Sequence, residues 1–234
     1  MSKIDTIIFD LDGTLLDTLD DLTAAVNHAL VAFSLPPIPR EQMRYYVGNG
    51  VKKQMERAVY YSSTGRDPDL NGDNDCDRSL VSACLALFTE YYDKHSSDMT
   101  APYAGVSEML AAVKDRGLKS AIVTNKYDEA ARELKDIFFP TVDVIVGLKD
   151  GLRPKPSPDG VHAALSLLGS DASRAVYVGD GETDMKTARA CNMPVVAVTW
   201  GFRDEGVLRE FKPDFIINKP SELFDALRGG GFIE

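Results

Sequence analysis

With 234 residues, 44% of them hydrophobic and 26% charged, the chain can build one sizeable core or two smaller ones. Its net charge of −10 excludes a general binder of nucleic acid or of an anionic membrane surface, because both need a basic face. No run approaches the roughly 18 apolar residues of a membrane span, and "MSKIDTIIFD" lacks the apolar stretch and cleavage site of a signal peptide, so a cytoplasmic location is the default expectation. Cys76, Cys84 and Cys191 are widely spaced and odd in number, which suits neither a disulfide framework nor a zinc site.

In chain order, the first predicted element is the strand "IDTIIFD" (4–10), apolar almost throughout. From about Thr18 to Thr100 only helices are predicted, "DDLTAAVNHALVAF" and "RSLVSACLALFTEYYDKH" being the clearest. After this interruption strands and helices alternate: helix 106–118, strand 120–125, helix 128–138, strand 142–147, helix 158–169, strand 175–180, helix 183–193, then strands 194–200 and 213–218. Continuous apolar strands separated by helices predict a doubly wound α/β domain with a mainly parallel sheet. Residues 1–17 and 100–234 are therefore assigned to an α/β core and 18–99 to an inserted all-helical domain, with linkers near Leu16 to Leu19 and in "SSDMTAPYAG" (96–105).

Chemistry concentrates where strands end. Asp10 and Asp12 follow the first strand, Thr124 and Asn125 end the second, and Asp180 ends "AVYVGD", with Asp184 four residues on. The 180/184 spacing places both carboxylates on one face if a helical turn follows the strand directly. Like charges this close need a cation between them, and hard oxygen donors favour Mg²⁺. Lys155, between two prolines in "GLRPKPSPD", is a pre-positioned ammonium, and the Gly13–Thr14 turn adds backbone donors. Together these make a phosphoryl site in which a carboxylate can act as nucleophile.

In this order, "DLDGT", "VTNK", the Lys of "RPKPSPD" and "VGDGETD" resemble the four motifs of the haloacid dehalogenase-like hydrolase superfamily, over nearly the whole chain. "YYVGNGVKKQMERAV" (45–59) and "VTWGFRDEGVLREFKPDFIINKPSEL" (198–223) are similar to its phosphoglycolate phosphatase subgroup. The resemblance implies a Rossmann-like core with a helical cap, and a magnesium-dependent phosphatase acting on a small anionic phosphomonoester such as 2-phosphoglycolate. It further implies Asp10 as nucleophile and Asp12 as acid and then base, with Thr124, Asn125 and Lys155 as further catalytic groups. Mg²⁺ is expected on Asp10, the Asp12 backbone carbonyl, Asp180 and Asp184, and substrate contacts from Gly13, Thr14, Arg44 and Lys126. Gly181 departs from the Ser common in related enzymes, so a backbone contact is expected there instead of a side-chain one.

Each residue also has a plainer reading. Asp at a strand end is often a helix N-cap, Thr124 and Asn125 can cap the next helix, Lys126 can be solvated surface, and Arg44 with "VGNG" (47–50) can be a helix start. "DPDLNGDNDCD" (67–77) lacks the Gly and Glu a calcium loop requires and is predicted to be a solvated acidic loop. A phosphoglucomutase-like phosphotransferase uses the same fold and Asp pair, and a catalytically silent binding module is the alternative from another class. Sequence does not fix the oligomeric state.

Overall fold

The computed structural model describes residues 4–233; residues 1–3 and 234, at the outer ends of the segments assigned to the core, lie outside the described residues. Two compact units divide the chain, one formed by 1–17 with 102–234 and the other by 18–101.

The larger unit starts with β1 (Thr6–Phe9), followed by the two-residue strand β2 (Leu16–Asp17). The smaller unit consists of α1 (Leu19–Ala32), α2 (Arg40–Met43), α3 (Val51–Thr64) and α4 (Arg78–His95). Its core is built from apolar positions such as Leu22, Val26, Leu30, Met43, Met55, Val81 and Phe88, which recur at helical spacing on facing helices. Helix α4 starts where its periodicity does, because the Asp77 carboxylate accepts from the backbone N–H of Ser79 and Leu80. The chain returns through β3 (Ala101–Pro102), which pairs with β2.

The rest alternates as α5 (Val106–Asp115), β4 (Lys119–Tyr127), α6 (Asp128–Phe138), β5 (Val144–Leu148), α7 (Asp159–Leu168), β6 (Ala175–Gly179), α8 (Glu182–Ala190), β7 (Val195–Val198), α9 (Glu205–Glu210), β8 (Phe215–Ile217) and α10 (Leu223–Gly229). The main sheet has the order β5-β4-β1-β6-β7-β8, and all of its pairings are parallel. Successive strand residues enter opposite cores: Ile7, Phe9, Val176 and Val178 meet α5, α6 and α10, whereas Ile8, Ala121, Tyr177 and Val195 meet α7, α8 and α9. Helices therefore cover both faces, as the strands' unbroken apolar runs require. The chain runs outward from β1 to β4 and β5, then crosses back to β6 on the other side of β1. That reversal makes the C-terminal end of β1 the switch-point crevice of the sheet.

Most observed strands are shorter than the predicted runs; β4 is the exception, extending over nine residues where the sequence predicts 120–125. Strand β7 stops at Val198, not at 200, because residues 199–203 turn aside: the Trp200 indole N–H donates to the Thr14 carbonyl (3.0 Å) and the Phe202 N–H to the Asp180 carboxylate (2.8 Å).

Candidate active site

Residues beyond β1 form a tight turn in which the N–H groups of Leu15 and Leu16 both donate to the Leu11 carbonyl (3.0 Å each) and that of Gly13 to Leu16 (2.9 Å). Gly13 sits at φ +87°, and a Cβ there would stand 2.4 Å from an Asp180 oxygen, so only glycine fits. Gly201 approaches from the other side, where a Cβ would meet the Gly13 carbonyl at 2.3 Å. Asp180 lies in this cradle, accepting from the Thr14 hydroxyl (2.9 Å) and from Phe202 N–H. Gly13 and Thr14, expected as substrate contacts, thus have these donors engaged inside the protein and shape the Asp180 site.

Asp10, Asp180 and Asp184 are all buried, and one carboxylate oxygen from each lies within 4.8 Å of the others. Asp184 reaches the cluster from the third residue of α8, and its other oxygen accepts from Gly181 N–H (3.0 Å). The backbone contact expected at Gly181 is present in this form. Asp180 itself precedes the helix, so the two carboxylates meet through the strand-to-helix turn and not as neighbours on one helical face.

One ammonium pairs with two of the three acids. Lys155 Nζ lies 2.8 Å from Asp10 Oδ1, 2.7 Å from Asp184 Oδ1 and 3.1 Å from the Tyr177 hydroxyl. Its loop is held by Asn125, whose side-chain oxygen accepts from Lys155 N–H (2.7 Å) and whose amide donates to the Lys155 carbonyl (3.0 Å). Neither Thr124 nor Asn125 caps α6: the cap position is Tyr127, and no side chain bonds there. Pairing between β4 and β5 shifts register between Val123 and Tyr127, an irregularity of the kind that re-aims side chains beside a site. Lys126 is not solvated surface, since its side chain is only 6% exposed and bonds Asp12 at 2.9 Å. The Asp12 carboxylate is therefore turned to Lys126 and is not part of the three-acid cluster, in which four acidic donors were expected.

Electrostatics follow from burial. Desolvation, reinforced by the Asp184 charge, pushes the Asp10 carboxyl well above the usual carboxylate range, with Lys155 opposing. Asp180 is pushed up to about 7 by burial and by Asp184, against the stabilising bonds from Phe202 and Thr14. Burial alone would lower the Lys155 pKa, but Asp10 and Asp184 more than offset it and hold the ammonium charged. The repulsion that adds to burial in pushing the Asp10 and Asp180 carboxyl groups up is what a divalent cation with hard oxygen ligands would relieve.

Several contributors gave no signal in sequence reasoning. Arg203 forms a buried ion pair with Glu182 (2.8 Å), tying the 199–203 segment to the first turn of α8. Tyr177 is the polar exception in an otherwise aliphatic buried strand, and a hydroxyl so placed needs a partner. Arg44 lies in the helical unit at the end of α2, its guanidinium carbon 5.2 Å from the Tyr45 ring centroid. In "VGNG", Asn49 accepts from the buried Arg57 (2.8 Å) and Gly50 precedes α3, which is turn chemistry. The 67–77 loop is internally bonded, with Asp69 accepting from Asn71 and Gly72 N–H and exchanging bonds with Asn74.

A parallel sheet with helices on both faces and acids gathered at its switch point defines a doubly wound α/β protein with an acidic crevice. The chain belongs to the haloacid dehalogenase-like hydrolases, whose family model matches residues 7–198. A phosphoglycolate phosphatase of Mesorhizobium japonicum is 37% identical over 223 residues, 94% of this chain and 92% of the relative. The pyrophosphatase PpaX of Bacillus pumilus is 31% identical, covering 95% of each chain. Among solved structures, a Lactobacillus delbrueckii protein provisionally named a phosphoglycolate phosphatase superposes with a TM-score of 0.91 at 31% identity, over 96% of this chain and 98% of that one. By family and relatives the chain is an enzyme, a phosphoric monoester hydrolase. Among the described residues no helix is long and apolar enough to cross a membrane.

Proposed function

We propose that the chain is a magnesium-dependent phosphatase that hydrolyses 2-phosphoglycolate, or a similar small anionic phosphomonoester, through an aspartyl-phosphate on Asp10. The observation that carries this reading is the cluster of three buried carboxylates beyond the end of β1, two of which, Asp10 and Asp184, are paired with the buried Lys155 ammonium. Asp10, Asp180, Asp184 and the Asp12 backbone carbonyl would hold Mg²⁺, which when bound supplies the positive charge that keeps the carboxylates ionised and offsets repulsion between Asp10 and phosphate.

Asp10 attacks phosphorus as the bond to the leaving alkoxide breaks, and Asp12 gives that oxygen its proton. Asp12 then takes a proton from the water that cleaves the acyl phosphate, regenerating Asp10 and releasing phosphate. One side chain serves as acid and then as base. Lys126, bonded to Asp12, holds it for both transfers, and Lys155 neutralises phosphoryl oxygens as charge develops. Thr124 is proposed to bond a phosphoryl oxygen and Asn125 to fix the Lys155 loop. The helical unit is proposed as a cap that excludes water and supplies Arg44 to the substrate carboxylate.

Inorganic pyrophosphate is the second candidate substrate, because the PpaX relative matches nearly end to end. Phosphate release from 2-phosphoglycolate, a sugar phosphate, a nucleotide and pyrophosphate, with Mg²⁺ or with chelator, separates these readings. The highest kcat/KM is expected with 2-phosphoglycolate and no turnover in chelator. Asp10→Asn should lose roughly a thousandfold or more, in the range seen when a nucleophile is removed. Undiminished turnover by metal-free protein would exclude the metal, and preference for pyrophosphate would move the substrate to the anhydrides.

A further inference from the structure

A lysine ammonium has three N–H donors and no acceptor. The three contacts of Lys155 are two carboxylates and one phenol, so its hydrogen-bonding capacity is met within the protein. We propose that Tyr177 is a positioning residue whose neutral hydroxyl holds the Lys155 ammonium between Asp10 and Asp184 without reducing its charge. The inference rests on the phosphatase reading above, in which Lys155 faces the phosphoryl group.

Register brings these groups together. Tyr177 on β6 pairs with Ile8 on β1, so its side chain belongs to the sheet face that also takes Asp10, two residues beyond Ile8. The phenol oxygen accepts from Lys155, leaving its single proton for the Val123 carbonyl (3.1 Å) or Asp184 Oδ1 (3.3 Å). Val123 lies in β4, on the other side of β1, and immediately precedes Thr124. Tyr177 thus spans the sheet beneath the site and refers the ammonium to the backbone of β4. A phenol is an ordinary neutral hydroxyl, donor and acceptor at once, so it can accept from the ammonium while donating its own proton onward.

The choice of a phenol has a chemical reason. A third carboxylate would also hold the ammonium, but it would screen the charge that the phosphoryl oxygens need. A purely apolar residue would fill the volume and leave one buried N–H unmet, which is costly for a charged donor. Only a neutral acceptor both fixes the ammonium and preserves its field. When Asp10 carries the phosphoryl group, Tyr177 and Asp184 remain as anchors that keep Lys155 on those oxygens.

Tyr177→Phe tests this with almost no change in volume. With 2-phosphoglycolate and saturating Mg²⁺, kcat should fall about tenfold while KM changes less than about twofold, because the lost interaction acts on transition-state charge. Inhibition by orthovanadate, which takes the trigonal form, should weaken by a factor similar to the fall in kcat, whereas inhibition by inorganic phosphate should weaken far less. In a Lys155→Met background, Tyr177→Phe should leave vanadate affinity unchanged. Unaltered kcat and vanadate inhibition would reduce Tyr177 to core filling, and an undiminished effect without Lys155 would show that it acts through the fold. Asp10→Asn assayed alongside separates the two levels: full turnover by that variant overturns the aspartyl-phosphate itself. An inactive Asp10→Asn beside an unaffected Tyr177→Phe overturns only the role of Tyr177.

Discussion

Both units bury charge, but to different ends. In the helical unit Asp21 is 2% exposed and accepts from Met99 N–H (3.0 Å), Thr100 N–H (2.8 Å) and the Thr100 hydroxyl (2.7 Å). Arg57, 3% exposed, donates to the Tyr46 carbonyl (2.8 Å), the Leu70 carbonyl and Asn49. Each of these charges is committed to nearby backbone and fixes a loop. In the α/β unit Asp10, Asp180 and Asp184 face one another, and among the described residues the Lys155 ammonium pairs with Asp10 and Asp184 but not with Asp180. A buried charge bonded to backbone serves stability, whereas like charges facing each other lower stability in favour of a ligand.

The largest effect should appear where that contrast is removed. Between the ordinary carboxyl value of 3.8 and its folded value of about 7, Asp180 retains a proton in the folded state that the unfolded chain has released. Its contribution to stability is therefore full below pH 4 and is lost as pH rises to about 7. A gap of this size amounts to roughly 4 kcal/mol at ~1.36 kcal/mol per pH unit. In Asp180→Asn the amide oxygen can accept from Phe202 N–H and the amide nitrogen can donate to the Thr14 hydroxyl oxygen. Metal-free Asp180→Asn should thus exceed the metal-free parent in stability at pH 8, by up to that amount, and resemble it at pH 4. Mg²⁺ should raise the parent's unfolding midpoint at pH 8 and leave that of the variant unchanged. Urea unfolding at both pH values checks this, and a parent as stable as the variant at pH 8 would show that the acids are already compensated.

A smaller effect of opposite sign is expected in the helical unit. Asp21→Ala leaves the buried Thr100 N–H and hydroxyl and the part-buried Met99 N–H without their acceptor and should cost about 3 kcal/mol of stability. The folded fraction should retain its kcat. A tenfold loss of kcat in fully folded Asp21→Ala would erase the distinction between the two kinds of buried charge.

What the sequence shows follows the same division. Strands buried on both faces are legible because their apolar runs are continuous, and the acids stand out because they interrupt those runs at the ends of β1 and β6. The short helices α9 and α10 escape notice because six or seven residues are too few to reveal a helical period. Lys126 reads as substrate contact or as surface because its partner, Asp12, is 114 positions away, and Gly201 is silent because its constraint is the Gly13 backbone across the site. Local pattern reveals which groups are charged. Long-range closure decides which of those charges are compensated, and only the folded chain contains that information.

Arg44 and Lys126 turn the comparison toward the substrate, with the smallest effect expected. Both are candidate partners for a substrate carboxylate, but Lys126 is already bonded to Asp12 within the α/β unit. Its loss should disturb proton transfer whatever the substrate, so Lys126→Ala should slow 2-phosphoglycolate and the carboxylate-free 4-nitrophenyl phosphate alike. Arg44, half-buried in the helical unit, should instead discriminate between them. A charge-assisted bond to a carboxylate typically contributes ~1.5 to 3 kcal/mol. Arg44→Ala should therefore lower kcat/KM for 2-phosphoglycolate by roughly tenfold to a hundredfold, with 4-nitrophenyl phosphate changed less than about threefold. Arg44→Lys should recover part of the loss, because the charge survives while the planar fork does not. Equal losses on both substrates would make Arg44 a support of the helical unit, and substrate-selective loss from Lys126→Ala would transfer carboxylate recognition to the end of β4.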